Sequence, residues 1–179
     1  MDLKEIRTDS RPLYDGRILK LREDTVRLPN GGTAFREIIE HNGGSCVVAV
    51  TDDGRILLVR QHRYAVDTLE PELPAGKRDK DEDPARCAAR ELEEETGYRA
   101  ETLTLLTRLH PTPAYCQELI YVYQAEGLHP VGQHLDEDEF LQVEAIPFSD
   151  ALAMVKNGEI TDAKTQIGIL LYALQNHIQ

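Results

Sequence analysis

The run Cys46-Val47-Val48-Ala49-Val50 carries no polar side chain on either alternating set of positions. Drawn out as a strand it shows an apolar surface on both sides, and such a strand is stable only between two packed layers. The turn Asp52-Asp53-Gly54 then leads into Arg55-Ile56-Leu57-Leu58-Val59-Arg60, a second apolar strand. A chain of 179 residues, 41% hydrophobic and 29% charged, has the material for one such layered domain with a small appendage.

The remaining elements fit that frame. Residues 13–40 read as strand material broken by Pro29-Asn30-Gly31-Gly32, an Asn-Gly hairpin signal. Residues 61–80 look irregular. Strand-like runs return at 102–109, 119–125 and 140–146, and Ser149 opens a short helix closing near Gly158. A last helix, about 163–177, places Ile167, Leu170, Leu171 and Leu174 on one face. Strands and helices alternate, but several strands are joined as hairpins. The pattern therefore predicts an α/β fold with a mixed sheet covered by helices, not a doubly wound parallel sheet. Residues 1–42 form a separate N-terminal strand region before a domain at 43–179.

No apolar run approaches the roughly 18 residues of a membrane helix. The start Met1-Asp2-Leu3-Lys4-Glu5 lacks a signal-peptide apolar stretch, so a cytoplasmic location is expected. Cys46, Cys87 and Cys116 are odd in number, widely spaced and without a C-x-x-C pair; they are read as reduced thiols, and nothing around Cys116 would activate it. His41, His62 and His110 show no metal-ligand spacing. The net charge of −12 argues against nucleic acid as a partner. It equally means that an anionic substrate needs a local reversal of potential, which divalent cations on surplus carboxylates provide.

Those carboxylates stand on the best-punctuated helix of the chain. Asp83 can cap its first amides, Pro84 suits the first turn, Gly97 can end it, and Ala85, Ala88, Ala89 and Leu92 supply an apolar stripe. Glu91, Glu94 and Glu95, at i, i+3 and i+4, project side by side and repel one another. A structural helix gains nothing from this. An acidic run is ordinarily solvated surface, but here Gly76, Glu82, Arg90 and Gly97 stand around it in the pattern G-x5-E-x7-R-E-L-x-E-E-x-G. A site for Mg²⁺ or Mn²⁺ would gain hard oxygen ligands.

This segment, Gly76 to Tyr98, resembles the signature of the Nudix hydrolases, with Tyr98 where an aliphatic residue is usual. The resemblance implies an α/β/α sandwich and metal-dependent hydrolysis of a nucleoside diphosphate linked to another moiety. It makes Glu91 and Glu95 the principal metal ligands, with Glu94 supporting and the carbonyl of Ala75 contributing. Glu82 and Arg90 then orient the ligands.

Outside the signature the chain resembles the ADP-ribose pyrophosphatase group. The likeness runs through Arg60-Gln61-His62-Arg63-Tyr64, Glu72-Leu73-Pro74-Ala75-Gly76, Pro113 at 16 residues beyond Gly97, the acidic loop Asp136-Glu137-Asp138-Glu139-Phe140, and Gly158–Thr165. It implies Glu137 as general base and Glu139 as a further metal ligand; a charged turn before a strand is the alternative, and Glu118 a weaker competitor for the base. Arg36 and Arg63 are candidates for the substrate phosphates, though either could be a surface ion pair, and Glu72 for substrate hydroxyls. Tyr64 and Tyr115 could stack on a base or simply pack. The group's dimers exchange N-terminal strands, so a homodimer is implied. ADP-ribose is the expected substrate, yielding AMP and ribose 5-phosphate. The alternatives are another sugar nucleotide such as GDP-mannose, a flavin or oxidised nucleotide, or a sensing module without catalysis.

Overall fold

The computed structural model describes residues 2–135 and 139–178. The chain divides into two compact units, one of residues 1–43 with 110–119 and one of residues 44–109 with 120–179.

The first unit is an antiparallel sheet of β1 (Ile6–Asp15), β2 (Lys20–Arg27) and β3 (Thr33–Glu40), in that spatial order. The Asn-Gly hairpin joins β2 to β3: Gly31 takes φ 85°, the Leu28 N–H donates to the Gly32 carbonyl (2.8 Å), and Asn30 Oδ1 accepts from the Gly32 amide (2.9 Å). β1 is exposed along its whole length. Residues 110–119 join this unit through β3, where the Ile39 N–H donates to the Tyr115 carbonyl (2.7 Å) and the Gln117 N–H to the Ile39 carbonyl (3.0 Å).

In the second unit, β4 (Gly44–Ala49), β7 (Ala75–Lys77), β8 (Tyr98–Leu109) and β9 (Ile120–Pro130) form a mixed sheet of order β7-β4-β9-β8, with β4 and β9 parallel. β5 (Arg55–Arg63), β6 (Thr68–Glu72) and β10 (Leu141–Pro147) form an antiparallel sheet of order β10-β5-β6. The helices are α1 (Pro84–Thr96), α2 (Phe148–Asn157) and α3 (Ala163–Gln175). β4 is buried throughout, and its alternate residues serve two cores. Cys46 and Val48 pack with Leu73, Val122, Phe148, Leu152, Ile160 and Ile169, while Val47 and Ala49 pack with Leu57, Ala88, Leu92 and Tyr123. The apolar run is thus covered on both faces by helices, in an α/β/α arrangement.

The structure corrects three expectations. Residues 61–80 are not irregular: β5 runs on to Arg63, and β6 and β7 follow. Pro71, which masks β6 in the sequence, is tolerated because β6 is an edge strand of its sheet among the described residues. In α1, Ala89 faces outward, and Cys87, Glu91 and Glu95 join Ala88 and Leu92 on the buried face. In α3, Leu170 and Leu174 are exposed, and the buried face is Lys164, Thr165, Gly168, Ile169 and Ala173. There Gly168 lies so close to Leu73 and Val48 that a Cβ would overlap them, and Lys164 and Thr165 have polar partners inside. A face chosen by hydrophobicity alone misses both effects. Among the described residues no helix is long and apolar enough to cross a membrane.

Candidate active site

Local sequence fixes the position of α1. Asp83 accepts from the amides of Ala85 (2.9 Å) and Arg86 (3.2 Å), and Gly97 closes the helix at φ 73° with its N–H on the Glu93 carbonyl (2.9 Å). Between these caps, one helical turn apart, Glu91 and Glu95 turn inward at 7% and 2% exposure. Glu95 Oε2 accepts the Ala75 N–H (2.8 Å). The Glu91 carboxylate lies against Gly76, where a Cβ would fall 1.9 Å from its Cδ. Both carboxylates are therefore seated on the two residues that open β7.

Arg90 ties the outer side of the group together. Its Nη1 donates to Glu91 (2.6 Å) and Glu94 (3.0 Å), and its Nε and Nη2 each reach a Glu82 oxygen at 3.2 Å. Hydrogen bonding to Glu82, then the Glu91 charge, raises the arginine pKa despite partial burial. Burial pushes Glu91 up to about 7 against the opposing Arg90 charge, with Glu94 and Glu139 adding to the rise. Burial pushes Glu95 to about 8 against the Ala75 hydrogen bond, helped by the charges of Glu91, Glu139 and Glu72. Glu139, half-buried, therefore acts electrostatically on both helix carboxylates.

Two buried carboxylates that resist ionisation, with further acidic groups near them, are what a hard divalent cation would stabilise in charged form. The donor set fits such an ion, although among the described residues no three His, Cys, Asp or Glu side chains already converge as a metal-binding group. With folded-state pKa values above the ordinary 4.5, these two groups contribute stability below about pH 4.5 that is lost as pH rises through about 7 and 8. Metal-free protein should therefore lose several degrees of melting temperature between pH 6 and pH 9, and saturating Mg²⁺ should remove most of that decline. A pH-independent melting temperature without metal would contradict the burial argument.

Beside this group, Arg63 and Glu72 are paired to each other, Nε to Oε1 at 2.5 Å and Nη2 to Oε2 at 2.7 Å. Glu72 is 2% exposed and also receives the buried Lys164 ammonium, which contacts Asp162 at 3.0 Å. Burial alone would lower the Lys164 pKa, but the charges of Glu72 and Asp162 raise it. The sequence reading missed Lys164 because nothing in Asp162-Ala163-Lys164-Thr165 distinguishes a buried lysine from a solvated one. Arg36 belongs to the first unit, where it forms a two-pronged pair with Glu5 at 2.5 and 2.9 Å. Glu118 lies in that unit too, 3.8 Å from His41 Nδ1. His62 contacts Asp67, and His110 the Glu118 carbonyl. Tyr64 and Tyr115 are both exposed. Glu137, the expected base, lies outside the described residues with Asp136 and Asp138.

The NUDIX domain family model matches residues 41–165, and that of the nucleoside diphosphate sugar hydrolase N-terminal domain matches residues 5–39. The ADP-ribose pyrophosphatase of Bacillus subtilis (strain 168) is 41% identical over 169 residues, covering 93% of this chain and 91% of its own. The methanol dehydrogenase activator of Bacillus methanolicus is 39% identical over 178 residues, covering 98% and 95%. In fold, the chain is similar to the crystal structure of an ADP compounds hydrolase, with a TM-score of 0.85 at 21% identity over 98% of this chain and 97% of that one.

Proposed function

The chain belongs to the Nudix hydrolases, and from that membership we propose that it cleaves the diphosphate of ADP-ribose to AMP and ribose 5-phosphate with Mg²⁺, Mn²⁺ serving as a substitute. The observation that carries this reading is the likeness to an ADP-ribose pyrophosphatase across nearly the whole of both chains, N-terminal region included.

In this reading Glu91, Glu95 and the Ala75 carbonyl hold the metal, with Glu139 as a further ligand and Glu94 in support. A divalent ion held there would supply positive charge against the diphosphate and acidify a water bound to it. The residues of the chain do the rest. Glu137 accepts the proton of the attacking water as general base. Arg90 holds Glu91 and Glu94 in place and is itself braced by Glu82. Arg63 presents a guanidinium already oriented by Glu72 to a substrate phosphate, so little side-chain freedom is lost on binding. Glu72, buried and bonded to both Arg63 and Lys164, supports the substrate contact through Arg63. The N-terminal region, 1–42, forms a homodimer of this cytoplasmic enzyme; in support, β1 is exposed throughout and Leu3, Ile6, Leu13, Tyr14, Leu19 and Phe35 show apolar surface to solvent.

The test is a panel of ADP-ribose, GDP-mannose, other nucleoside diphosphate sugars and flavin nucleotides, incubated with Mg²⁺ and resolved by chromatography. ADP-ribose should give AMP and ribose 5-phosphate at the highest kcat/KM. If ADP-ribose stays intact while GDP-mannose or another member is cleaved, the substrate assignment is wrong and the hydrolase assignment stands.

A further inference from the structure

The last carbonyls of an α-helix have no partner within the helix. At the end of α1 the carbonyls of Glu94 and Glu95, with that of the cap residue Gly97, are taken up by one short segment, residues 131–134, which follows β9 and leads into the acidic loop. The Val131 and Gly132 amides donate to the Gly97 carbonyl at 2.8 and 3.2 Å, and the His134 amide donates to the Glu94 carbonyl at 3.0 Å. The Gln133 side chain donates from Nε2 to the main-chain carbonyl of Glu95 at 2.6 Å. The approach is close enough that a Cβ on Gly97 would meet the Gln133 nitrogen at 2.8 Å, so this position needs glycine for contact as well as for its left-handed φ.

Glu95 is thus held from two directions, its carboxylate by the Ala75 amide and its carbonyl by Gln133. The strap that grips it ends five residues before Glu139, whose charge acts on Glu91 and Glu95. The main-chain bonds of the strap depend on glycine at 97 and at 132, where φ is 104°, but on no side-chain donor. The Gln133 carboxamide is the only side chain of residues 131–134 that bonds to a helix carbonyl in the contacts above. We infer that Gln133 is a positioning residue, which ties residues 131–134 to the carboxylate helix and so holds Glu139 at a fixed separation from Glu91 and Glu95.

The inference rests on the reading that the acidic loop serves catalysis, and the experiment separates the two. Gln133 is exposed, so Gln133→Leu, of similar size but without a donor, should fold; its melting temperature checks that. In metal-free protein, hydrogen exchange should speed up about three- to ten-fold at the amides of residues 131–135 and stay unchanged in the first two turns of α1. With Mg²⁺ and ADP-ribose, kcat should fall by a similar factor while KM changes less than two-fold. Gln133→Glu, which cannot donate and sets a charge against a carbonyl, should be at least as impaired. Unchanged exchange together with unchanged kcat in both variants overturns the positioning role. If Gln133→Leu loosens the strap but neither it nor Glu139→Gln affects kcat, the acidic loop is not catalytic, and the inference falls with that reading.

Discussion

Glu95→Gln is expected to lower kcat by about a thousand-fold while leaving the fold intact, on the scale by which loss of one charge-stabilising group acts in an active site. The substitution keeps the shape of the side chain. Its carbonyl oxygen can still accept the Ala75 amide that Glu95 Oε2 now accepts. It removes the charge, and Glu95 is the most deeply buried of the three helix carboxylates, with its pKa pushed to about 8. A neutral residue there relieves the burial penalty, so metal-free Glu95→Gln should melt no lower than wild type at pH 8 and should show a weaker loss of stability between pH 6 and pH 9. Metal binding should move the other way: Mn²⁺ binding measured by electron paramagnetic resonance without substrate should weaken at least ten-fold. Glu94→Gln makes a graded comparison. Glu94 is half-exposed and shares Arg90 with Glu91, so its loss should cost less than that of Glu95. Full turnover in Glu95→Gln would remove the metal-ligand assignment, and a collapsed melting temperature would show that the charge is structural.

The reach of the sequence is clearest where local chemistry decides the outcome. Asp83, Pro84 and Gly97 mark the ends of α1 because capping acts within a few residues, and the structure has the caps at those positions. The two-sided apolar run of β4 announces a layered fold for the same reason: its burial demand is written in consecutive residues. The Asn30-Gly31 turn is equally local. What stayed hidden depends on contacts distant in the chain. Lys164 is buried because Glu72, 92 residues away, waits for it. The strap of residues 131–134 is defined by carbonyls on α1, 38 residues before Gln133 in the case of Glu95. The inward face of α3 is chosen by the space above Val48 and Leu73 that Gly168 fits, which no periodicity within α3 reports. In the site, spacing made Glu91 and Glu95 neighbours, but only the packing of α1 against β7 shows that they are buried.

Gly76→Ala should be nearly as damaging to activity as loss of Glu91 itself, although alanine is the smallest side chain that can be added. The backbone raises no objection, since Gly76 does not occupy the left-handed region. The obstacle is the site. A Cβ would fall 1.9 Å from both Cδ and Oε1 of Glu91 and 2.3 Å from its Oε2, far inside van der Waals contact distance for every atom of the carboxylate. Those atoms end a flexible side chain, so the clash resolves by Glu91 swinging away, at small cost to the fold. The melting temperature should therefore fall by only a few degrees while kcat drops about a hundred-fold or more. The mechanism makes a stricter demand than the size of the loss. If alanine acts by displacing Glu91, then Glu91→Ala, which empties the space, should lower kcat little further when combined with Gly76→Ala, whereas independent effects would multiply. A double variant that multiplies the two losses would mean that Gly76 acts through the β4–β7 pairing opposite Ser45. Additivity would thus place its role in the sheet, and its absence would place it at the seat of the Glu91 carboxylate.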